Sequence, residues 1–517
     1  RVCVPITGQN PAEMLEKAEA VARDNSFLEF RLDYLSQPAA FLPKLKGFIE
    51  YHPHLVLIAT CRREKSGWKY KGSVESQLDI LVKAAQLGCQ LLDVEIESAV
   101  LMKPRHWEKL KKLAAIILSF HDFRRTKHLD KTFAKMKEFP ADFFKVVTTA
   151  NSLHDNVELM RFLQSKSDDD AMVGTCMGEQ GIISRVLAVR AGSVFTFGAA
   201  NPGEETAPGQ IAARTLYDTF RIDKVDAATR VYGVVGDPIR QSLSPVMMNT
   251  AFRRENLNAV YLALHAKELA DLMSCVRDIP IHGLSVTMPY KEAILKHLDK
   301  TDPISQKVGA CNTVIRSADG KLYGFNTDVA GVVRPIEQRM SIEGAKILVL
   351  GAGGAARAAV YGLKERGADL YLMNRTAAAG KKLAQQAHIK YVDHAKLAKI
   401  KVPFDVIINA TPIGMDVLEL KGDKPEKPFL TEAELNCRYA FEMVYSPAET
   451  PFTKMARAKG IHVIPGSEMF VHQGARQFAS WTGKPAPVEE IHRVVVHALE
   501  QRAAIAAAQK NGKHKKR

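Results

Sequence analysis

Eight short apolar runs, each ending in polar residues, alternate with helix-spaced stretches through about the first 220 residues and constrain the fold more than any other feature. They are VCVPI, FLEFRLD, LVLIATCR, LLDVEI, AIILSFHD, FFKVVTTA, AMVGTCM and VFTFGAA. The stretches between them, such as Pro11 to Asp24, Ser73 to Leu87 and Leu153 to Ser165, set apolar residues three and four apart, the period of an amphipathic helix. Strand and helix in strict alternation imply parallel strands joined by helical crossovers. Eight repeats in this length match a (β/α)8 TIM barrel, with a doubly wound open sheet as the alternative.

The chain has 517 residues, and at about 150 residues per domain it asks for about three domains, so a barrel is only its first part. Hydrophobic residues at 46% and charged residues at 25% exclude a disordered chain, collagen and a disulfide scaffold. No apolar run reaches the roughly 18 residues of a membrane span. Lys and Arg exceed Asp and Glu, 72 against 57, for a net +15. The tail Lys510, Lys513, Lys515, Lys516 and Arg517 supplies part of that excess as a solvated, disordered end. Elsewhere the basic residues are scattered, with no zinc finger, RNA-binding aromatic signature or basic stripe. The charge is therefore read as serving small anionic substrates, with no nucleic-acid or membrane partner. Seven cysteines, odd in number and never spaced CxxC, point to a reducing compartment and no structural zinc. The chain starts at Arg1 without a signal-like segment, so any targeting segment is read as removed or never present.

In a barrel the chemistry gathers at the carboxyl ends of the strands. The polar residues there are Glu29, Arg31, Arg62, Asp93, Glu95, His121 and Lys145. Lys145 is flanked by Phe143, Phe144, Val146 and Val147. A free lysine with pKa about 10.4 is neutral in roughly one molecule in 2500 at pH 7, so an amine nucleophile needs desolvation and nearby cations. A lysine on the outer face, or snorkelling from a strand end, is the alternative. His121 ends the strand before Lys145 and would share its mouth; a hydrogen-bonded core or turn histidine is the bland reading. For Arg31, Arg62 and Arg185 the alternative to anion binding is a structural ion pair. Taken together, lysine, histidine and guanidinium groups point to imine chemistry on a small carboxylate.

The segments EFRLD, TCRR, DVEI, SFHDF, FFKVVTTA, SRVLA and TFGAANPGEETAPGQ resemble type I 3-dehydroquinate dehydratase over about residues 1 to 220. The resemblance implies that Lys145 forms a Schiff base with the substrate ketone and that His121 is the general acid/base. It also implies that Glu29, Arg31, Arg62, Arg185, Thr206 and Gln210 bind substrate. Two departures stand out. Ser66, Gly67 and Trp68 follow Lys65 where the family usually has a glutamate and two glycines, and Thr206 replaces a common serine while keeping the hydroxyl.

IDKVDAATR, Ile222 to Arg230, is a polar connector before a new strand, VYGVVG. Further on, KILVL runs into GAGGAARA: a strand, a glycine turn and a helix of small residues. Gly351 allows the turn, Gly353 and Gly354 let the backbone approach a diphosphate, and the helix start offers N–H groups. After DLYLM comes Asn374-Arg375-Thr376, not the acid that holds a free 2′-hydroxyl. A guanidinium beside a hydroxyl suits a 2′-phosphate, so NADP is read over NAD, with a solvent-facing Arg375 as the alternative. Before this unit, Ser242 and Ser244 precede a helix begun by Pro245, where Ser244 could simply be a cap. Lys291 follows LSVTMPY, and Asn312, Asn326 and Asp328 are read at strand ends. An ammonium and a carboxylate in one cleft, Lys291 with Asp328, would serve proton transfer during hydride chemistry, although Lys291 alone reads as a surface lysine.

GDPIRQSLSP, VTMPYKEA, ACNTV, GFNTDVAG, GAGGAARAA, NRT, INATPIGM, EMVYSPAETP and GSEMFVHQGARQF resemble shikimate dehydrogenase over residues 231 to about 500. The resemblance implies Lys291 and Asp328 as the catalytic pair and Ser242, Ser244, Thr287, Asn312, Tyr445 and Gln473 as shikimate ligands. For NADP(H) it implies Gly351, Ala352, Gly353, Gly354, Ala355, Asn374, Arg375, Thr376, Thr411, Pro412, Gly414 and Met469. The expected order is a barrel (1–221), a linker (222–230), a substrate domain (231–338), a Rossmann NADP-binding domain (339–466), returning helices (467–502) and a basic tail (503–517).

The function this implies is dehydration of 3-dehydroquinate to 3-dehydroshikimate followed by reduction to shikimate with NADPH, and no metal is called for. Oxidation of quinate or shikimate with NAD is the enzymatic alternative, opposed by Ser242-Leu243-Ser244 and Asn374-Arg375-Thr376. A ligand-sensing regulator is opposed by the joint presence of Lys145, His121, Lys291 and Asp328. The location expected is the cytoplasm for a bacterial chain, and the plastid for a plant chain whose transit peptide has been removed.

Overall fold

A parallel strand covered by helices is buried on both faces, which is why the barrel strands read as nearly continuous apolar runs. In the computed structural model, residues 2–239, 241–279, 281–400, 402–415 and 429–514 are described, the side chains of Ser66, Arg277 and residues 506–514 excepted. The eight runs form β1 (Val2–Ile6), β2 (Phe27–Arg31), β3 (Val56–Thr60), β4 (Leu91–Glu95), β5 (Ala115–His121), β6 (Phe143–Thr149), β7 (Met172–Met177) and β8 (Thr196–Phe197). β1 to β7 pair in chain order, and β8 returns to β1 in parallel, with Val2 opposite Thr196 and Cys3 opposite Phe197. The Val194 N–H donates to the Met172 carbonyl at 2.9 Å, so β7 meets the approach to β8. The result is a nearly closed barrel and not an open doubly wound sheet.

The intervening helices start where the sequence offers caps. Asn10 accepts the N–H groups of Ala12 and Glu13 ahead of the helix Pro11–Ala22, and Ser73 accepts that of Ser76 ahead of Val74–Gln86. Inside the barrel, Cys3, Ile58, Leu91, Ile117, Val173, Phe195 and Phe197 form an apolar floor with Phe27 and Phe143. Side chains two apart along a strand share a face. Two residues beyond Phe27, Ile58, Leu91, Ile117 and Phe143 therefore stand Glu29, Thr60, Asp93, Ser119 and Lys145, a polar level above that floor.

By packing, the chain divides into one unit of Arg1–Arg230 with Asn258–Val260 and Leu264–Pro280, and a second of Val231–Leu257 with Tyr261–Ala263 and Ile281–Arg517. Beyond the barrel lie two six-stranded sheets. The first is mixed, from β9 (Arg230–Gly236), β10 (Ala259–His265), β11 (Ile281–Val286), β12 (Lys300–Thr301), β13 (Thr313–Arg316) and β14 (Leu322–Phe325), in the order β10-β9-β11-β13-β14-β12. The second is parallel, from β15 (Lys346–Leu350), β16 (Asp369–Met373), β17 (Lys390–Tyr391), β18 (Phe404–Asn409), β19 (Cys437–Glu442) and β20 (His462–Ile464), in the order β17-β16-β15-β18-β19-β20. That order reverses direction at β15, the crevice where a doubly wound sheet binds ligands.

The chain ends in the helices Gly466–Thr482 and Val488–His514. The second corrects the expected tail: AAIAAAQK is rich in strong helix formers, so helix continues past residue 502. The side chains of Lys510 and Lys513, and all of Lys515, Lys516 and Arg517, lie outside the described residues. All seven cysteines are free. No helix among the described residues is long and apolar enough to cross a membrane.

Candidate functional site

In the first unit the β5–β6 register sets Ser119 opposite Lys145 and His121 opposite Val147. His121 thus lies on the Ser119 face, two residues nearer the mouth and one strand from Lys145. Lys145 is only 3% exposed and points inward, not to the outer face. Its ammonium donates to Asp93 Oδ2 at 3.1 Å, stands 3.8 Å from Glu29 Oε1, and lies 3.8 Å from the Phe197 ring centre. Glu29 accepts the Thr60 hydroxyl at 2.7 Å.

Asp93 is the hub of this level. It accepts from Arg62 Nε at 3.1 Å, Arg62 Nη2 at 2.5 Å, Ser119 Oγ at 2.7 Å and Lys145. Burial works to raise the Asp93 carboxyl, but the Arg62 guanidinium and the Lys145 ammonium outweigh it and hold the group well below the usual carboxylate range. His121 is affected in the opposite sense. Burial first, then the charges of Arg62 and Lys145, hold the imidazole well below its ordinary value, so it is neutral at pH 7. The strand-end reading counted Asp93 but gave it no role, and passed over Thr60 and Ser119.

The three arginines separate. Arg31 is bidentate to Asp33 at 3.0 and 2.8 Å, and Arg62 to Asp93, so both make the ion pairs of the structural reading while keeping further N–H donors. Arg185 makes no ion pair among the described residues. Its Nη2 donates to the Pro208 carbonyl at 3.2 Å and its buried Nε has no partner. Burial pulls its pKa down to about 10. A buried guanidinium without a carboxylate is a place for an anion. Gln210 Oε1 accepts the Thr206 N–H at 2.8 Å and hydroxyl at 3.1 Å, which leaves its Nε2 to donate.

Glu95 is turned to other work, accepting from Gln77 at 2.8 Å, Ser98 at 2.6 Å and the Arg63 N–H at 3.2 Å. The loop that departs from the family pattern delivers Trp68. Its ring centre lies 4.7 Å from the Arg62 guanidinium carbon, 4.8 Å from that of Arg31 and, edge to face, 5.1 Å from the His121 ring. The sequence reading recorded this residue only as a departure; its signal was an aromatic close behind a strand-end arginine. The side chain of Ser66 lies outside the described residues.

In the second unit β13 runs antiparallel to β11 and β14, with Thr313 opposite both Ser285 and Phe325. Asn312 therefore stands at a strand end, just before β13, on the edge where β11 and β14 finish. Asp328 opens the helix Asp328–Glu337 beside it. Lys291 Nζ donates to Asp328 Oδ2 at 2.5 Å, and Asn312 Nδ2 to Oδ1 at 2.7 Å. The Lys291 side chain is 26% exposed and that of Asp328 4%, so one partner faces the cleft while the other is fixed. Asn312 Oδ1 accepts the Thr313 hydroxyl at 2.8 Å and the Thr327 N–H at 2.8 Å, which sets the amide the right way round. The Asp328 N–H donates to Asn326 Oδ1 at 3.1 Å.

Ser244 is the first residue of the helix Ser244–Arg254 and not its cap; its N–H donates to Ser242 Oγ at 3.2 Å. Thr287 follows β11, its N–H on the Val235 carbonyl at 2.9 Å. Tyr445 stacks on Phe470 with centres 4.4 Å apart. Gln473 donates to the Phe470 carbonyl at 2.8 Å and its Oε1 lies 3.5 Å from Asn312 Nδ2. One turn on, Gln477 donates to the Asn312 carbonyl and the Thr313 hydroxyl, both at 3.1 Å, and accepts from Ser285 at 2.8 Å. Its spacing of four from Gln473 on one helix face was the available signal.

At the β15 turn, Gly351 has φ +115°, and a Cβ there would come 3.0 Å from the Ala410 carbonyl oxygen. A Cβ on Gly353 would meet nothing within 4 Å, and on Gly354 only Ala310 Cβ at 3.9 Å, so backbone flanked by Ala352 and Ala355 lies open. No side chain caps the helix Gly354–Lys364, which leaves its first N–H groups for an anion. Asn374 Nδ2 donates to the Thr376 carbonyl at 2.9 Å, and Arg375 and Thr376 are exposed, with no ion pair to Arg375 among the described residues. Across the crevice the Thr411 hydroxyl donates to Asn409 at 2.6 Å, and Asn409 Nδ2 to both oxygens of buried Glu442 at 3.0 Å. Pro412 and Gly414, φ +92°, continue that turn, and Met469 lies in the first turn of Gly466–Thr482. Open glycines, an uncapped helix start and an unpaired guanidinium fit a dinucleotide carrying a 2′-phosphate.

The Type I 3-dehydroquinase family matches residues 2–227. The Shikimate dehydrogenase substrate binding domain matches 234–314, Shikimate / quinate 5-dehydrogenase 335–420, and the Shikimate 5'-dehydrogenase C-terminal domain 466–496. The chain is 32% identical over 510 residues to the bifunctional 3-dehydroquinate dehydratase/shikimate dehydrogenase, chloroplastic, of Arabidopsis thaliana, covering 94% of this chain and 83% of that protein. It is 36% identical over 290 residues to the shikimate dehydrogenase (NADP(+)) of Pyrococcus furiosus, covering 54% of this chain and 99% of the relative. A solved structure of dehydroquinate dehydratase and shikimate dehydrogenase from S. pombe AroM aligns at 25% identity and a TM-score of 0.45, covering 96% of this chain and 98% of that one.

Proposed function

The chain belongs to the bifunctional 3-dehydroquinate dehydratase/shikimate dehydrogenase family, and from that premise we propose how its residues divide the work. Residues 1–221 dehydrate 3-dehydroquinate to 3-dehydroshikimate, and residues 231–502 reduce that ketone to shikimate. The observation that carries the reading is a buried amine, Lys145, on a carboxylate and one strand from a neutral imidazole.

The Lys145 amine adds to the ketone carbon, and the carbinolamine sheds water to give an iminium. That positive charge forms beside Asp93, which stays ionised under Arg62 and so stabilises it. Asp93 is for the same reason a poor proton acceptor. His121, held neutral, takes the adjacent C–H proton and returns it to the departing hydroxyl. Water then hydrolyses the imine and frees Lys145, so the balance is one water lost. The unpaired Arg185 receives the substrate carboxylate, with Gln210 and Thr206 closing over it, and Glu29, Arg31 and Arg62 face its hydroxyls.

In the second half the β15 turn, Asn374-Arg375-Thr376, the Thr411-Pro412-Gly414 turn and Met469 would hold NADPH, which would supply the hydride when bound. Lys291 gives a proton to the oxygen that becomes a hydroxyl, and Asp328, fixed by Asn312, orients the ammonium. Ser242, Ser244 and Tyr445 take the carboxylate, and Thr287 and Gln473 face the ring. The chloroplastic relative supports a plastid for a plant chain, and the cytoplasm is our reading for a bacterial one.

The test supplies 3-dehydroquinate with NADPH and follows enone absorbance and cofactor consumption together. Lys145→Ala should stop the sequence at 3-dehydroquinate yet reduce added 3-dehydroshikimate at the wild-type rate. Borohydride with substrate should leave an adduct on Lys145 by peptide mass spectrometry. A wild-type enzyme that dehydrates but never traps an adduct rejects the imine.

A further inference from the structure

The helix Val488–His514 carries Arg502 to the loop ahead of the helix Ser244–Arg254, where its Nη1–H donates to the Gln241 carbonyl at 2.6 Å. The next residue is Ser242, whose hydroxyl accepts the Ser244 N–H at 3.2 Å. The guanidinium is partly buried and forms no ion pair among the described residues. At the far end of the same two helices, Arg254 is by contrast paired with Glu490 at 3.1 Å. The Arg502 charge and the Tyr445 phenol also act on each other electrostatically. Burial raises the Tyr445 pKa and the Arg502 charge opposes it, while burial lowers that of Arg502 and the phenol opposes that.

Two serine hydroxyls and a phenol are neutral. They can hydrogen-bond a carboxylate but cannot balance its charge, and a partly desolvated cation without a counter-ion is left at their edge. Arg502 keeps N–H donors beyond the one spent on Gln241, in the planar fork that matches a carboxylate. We propose that Arg502 is a further substrate-binding residue of the second half, its guanidinium pairing with the ring carboxylate of the substrate. The inference rests on the reading that Ser242, Ser244 and Tyr445 form the carboxylate pocket.

The test uses the full chain and measures NADP+-dependent oxidation of shikimate and of its methyl ester, the same ring without the charge. Arg502→Gln should raise KM for shikimate roughly ten-fold, the scale of one charge-assisted hydrogen bond. KM for the ester and kcat for both should stay within about two-fold, Arg502→Lys should recover much of the loss, and 3-dehydroquinate dehydration should be unchanged. An equal KM rise for acid and ester would make Arg502 a prop for the loop and overturn the proposal, as would no rise at all. The double variant Ser242→Ala/Ser244→Ala separates the premise: if it too fails to distinguish acid from ester, the carboxylate pocket itself is misplaced.

Discussion

Replacing Asp93 by asparagine removes one charge from the middle of the barrel while almost preserving shape. The carboxylate answers Arg62 at 3.1 and 2.5 Å and Lys145 at 3.1 Å. Asparagine keeps one acceptor oxygen, but its amide nitrogen then meets a cationic donor. At an effective dielectric near 20, unit charges 3.1 Å apart attract by about 5 kcal/mol. Desolvation offsets part of this in the intact pair, whereas removing one partner leaves a buried cation and costs about 3–5 kcal/mol. The pH dependence identifies the cause. The folded-state pKa of Asp93 lies below the unfolded value of about 3.9, so its stabilisation is complete above that value and is lost as pH falls towards the folded pKa. Asp93→Asn should therefore be less stable by about 3–5 kcal/mol at pH 7, with the gap narrowing below about pH 4. Urea unfolding at pH 7, 5 and 3 reads this by tryptophan fluorescence in a Trp481→Phe background, which leaves Trp68 and Trp107 as reporters in the first unit. Equal midpoints at pH 7, or a gap of the same size at pH 3, would refute the reasoning.

Trp68→Gly exposes His121 to water. Because burial is the main force holding that imidazole down, with Arg62, Lys145 and Arg31 adding to it and Asp93 opposing, its pKa should rise. The acid limb of the dehydration kcat–pH profile should then move upward, Trp68→Phe should move it less, and an unmoved limb counts against the contact. Arg375→Gln should raise KM for NADPH roughly ten- to hundred-fold and leave KM for NADH alone, as initial rates with each cofactor would measure. Gly351→Ala puts a Cβ 3.0 Å from the Ala410 carbonyl oxygen at φ +115°. Reduction should fall at least ten-fold while dehydration persists; retention of both activities would mean the turn relaxes easily.

The barrel and the parallel sheet were legible because each rests on a local period: eight apolar runs at strand length, and KILVL breaking into GAGG. The groups proposed to react were picked out for a related reason, since a strand end fixes which side chains reach the mouth. What escaped depends on the partner across the sheet. Asp93 and Glu95 lie two apart on one strand, both buried. Only the neighbours decide that Asp93 serves Arg62 and Lys145 while Glu95 serves Gln77 and Ser98. Asn312 was read at a strand end with no direction given, because a four-residue run does not carry one, and antiparallel pairing sets it on the edge where β11 and β14 finish. Arg502 sat in a stretch read as the last of a returning helix, and no spacing links it to Ser242.

In the roles proposed for them, the two lysines have similar partners but different chemistry. Each ammonium meets a buried carboxylate, Lys145 with Asp93 at 3.1 Å and Lys291 with Asp328 at 2.5 Å. An amine that bonds to carbon must shed its proton inside the site and keep stray water from the imine. Lys145 has the setting for keeping water out: 4% side-chain exposure and an aromatic ring beneath it. An amine that only donates a proton must recover one every turnover. Lys291, with 26% of its side chain exposed, is open to solvent for that exchange, and its carboxylate has no second cation to satisfy among the described residues. Burial therefore separates the roles more clearly than the charge pairs do, and the hydrophobic residues on either side of Lys145 in FFKVV were the trace of it in the sequence.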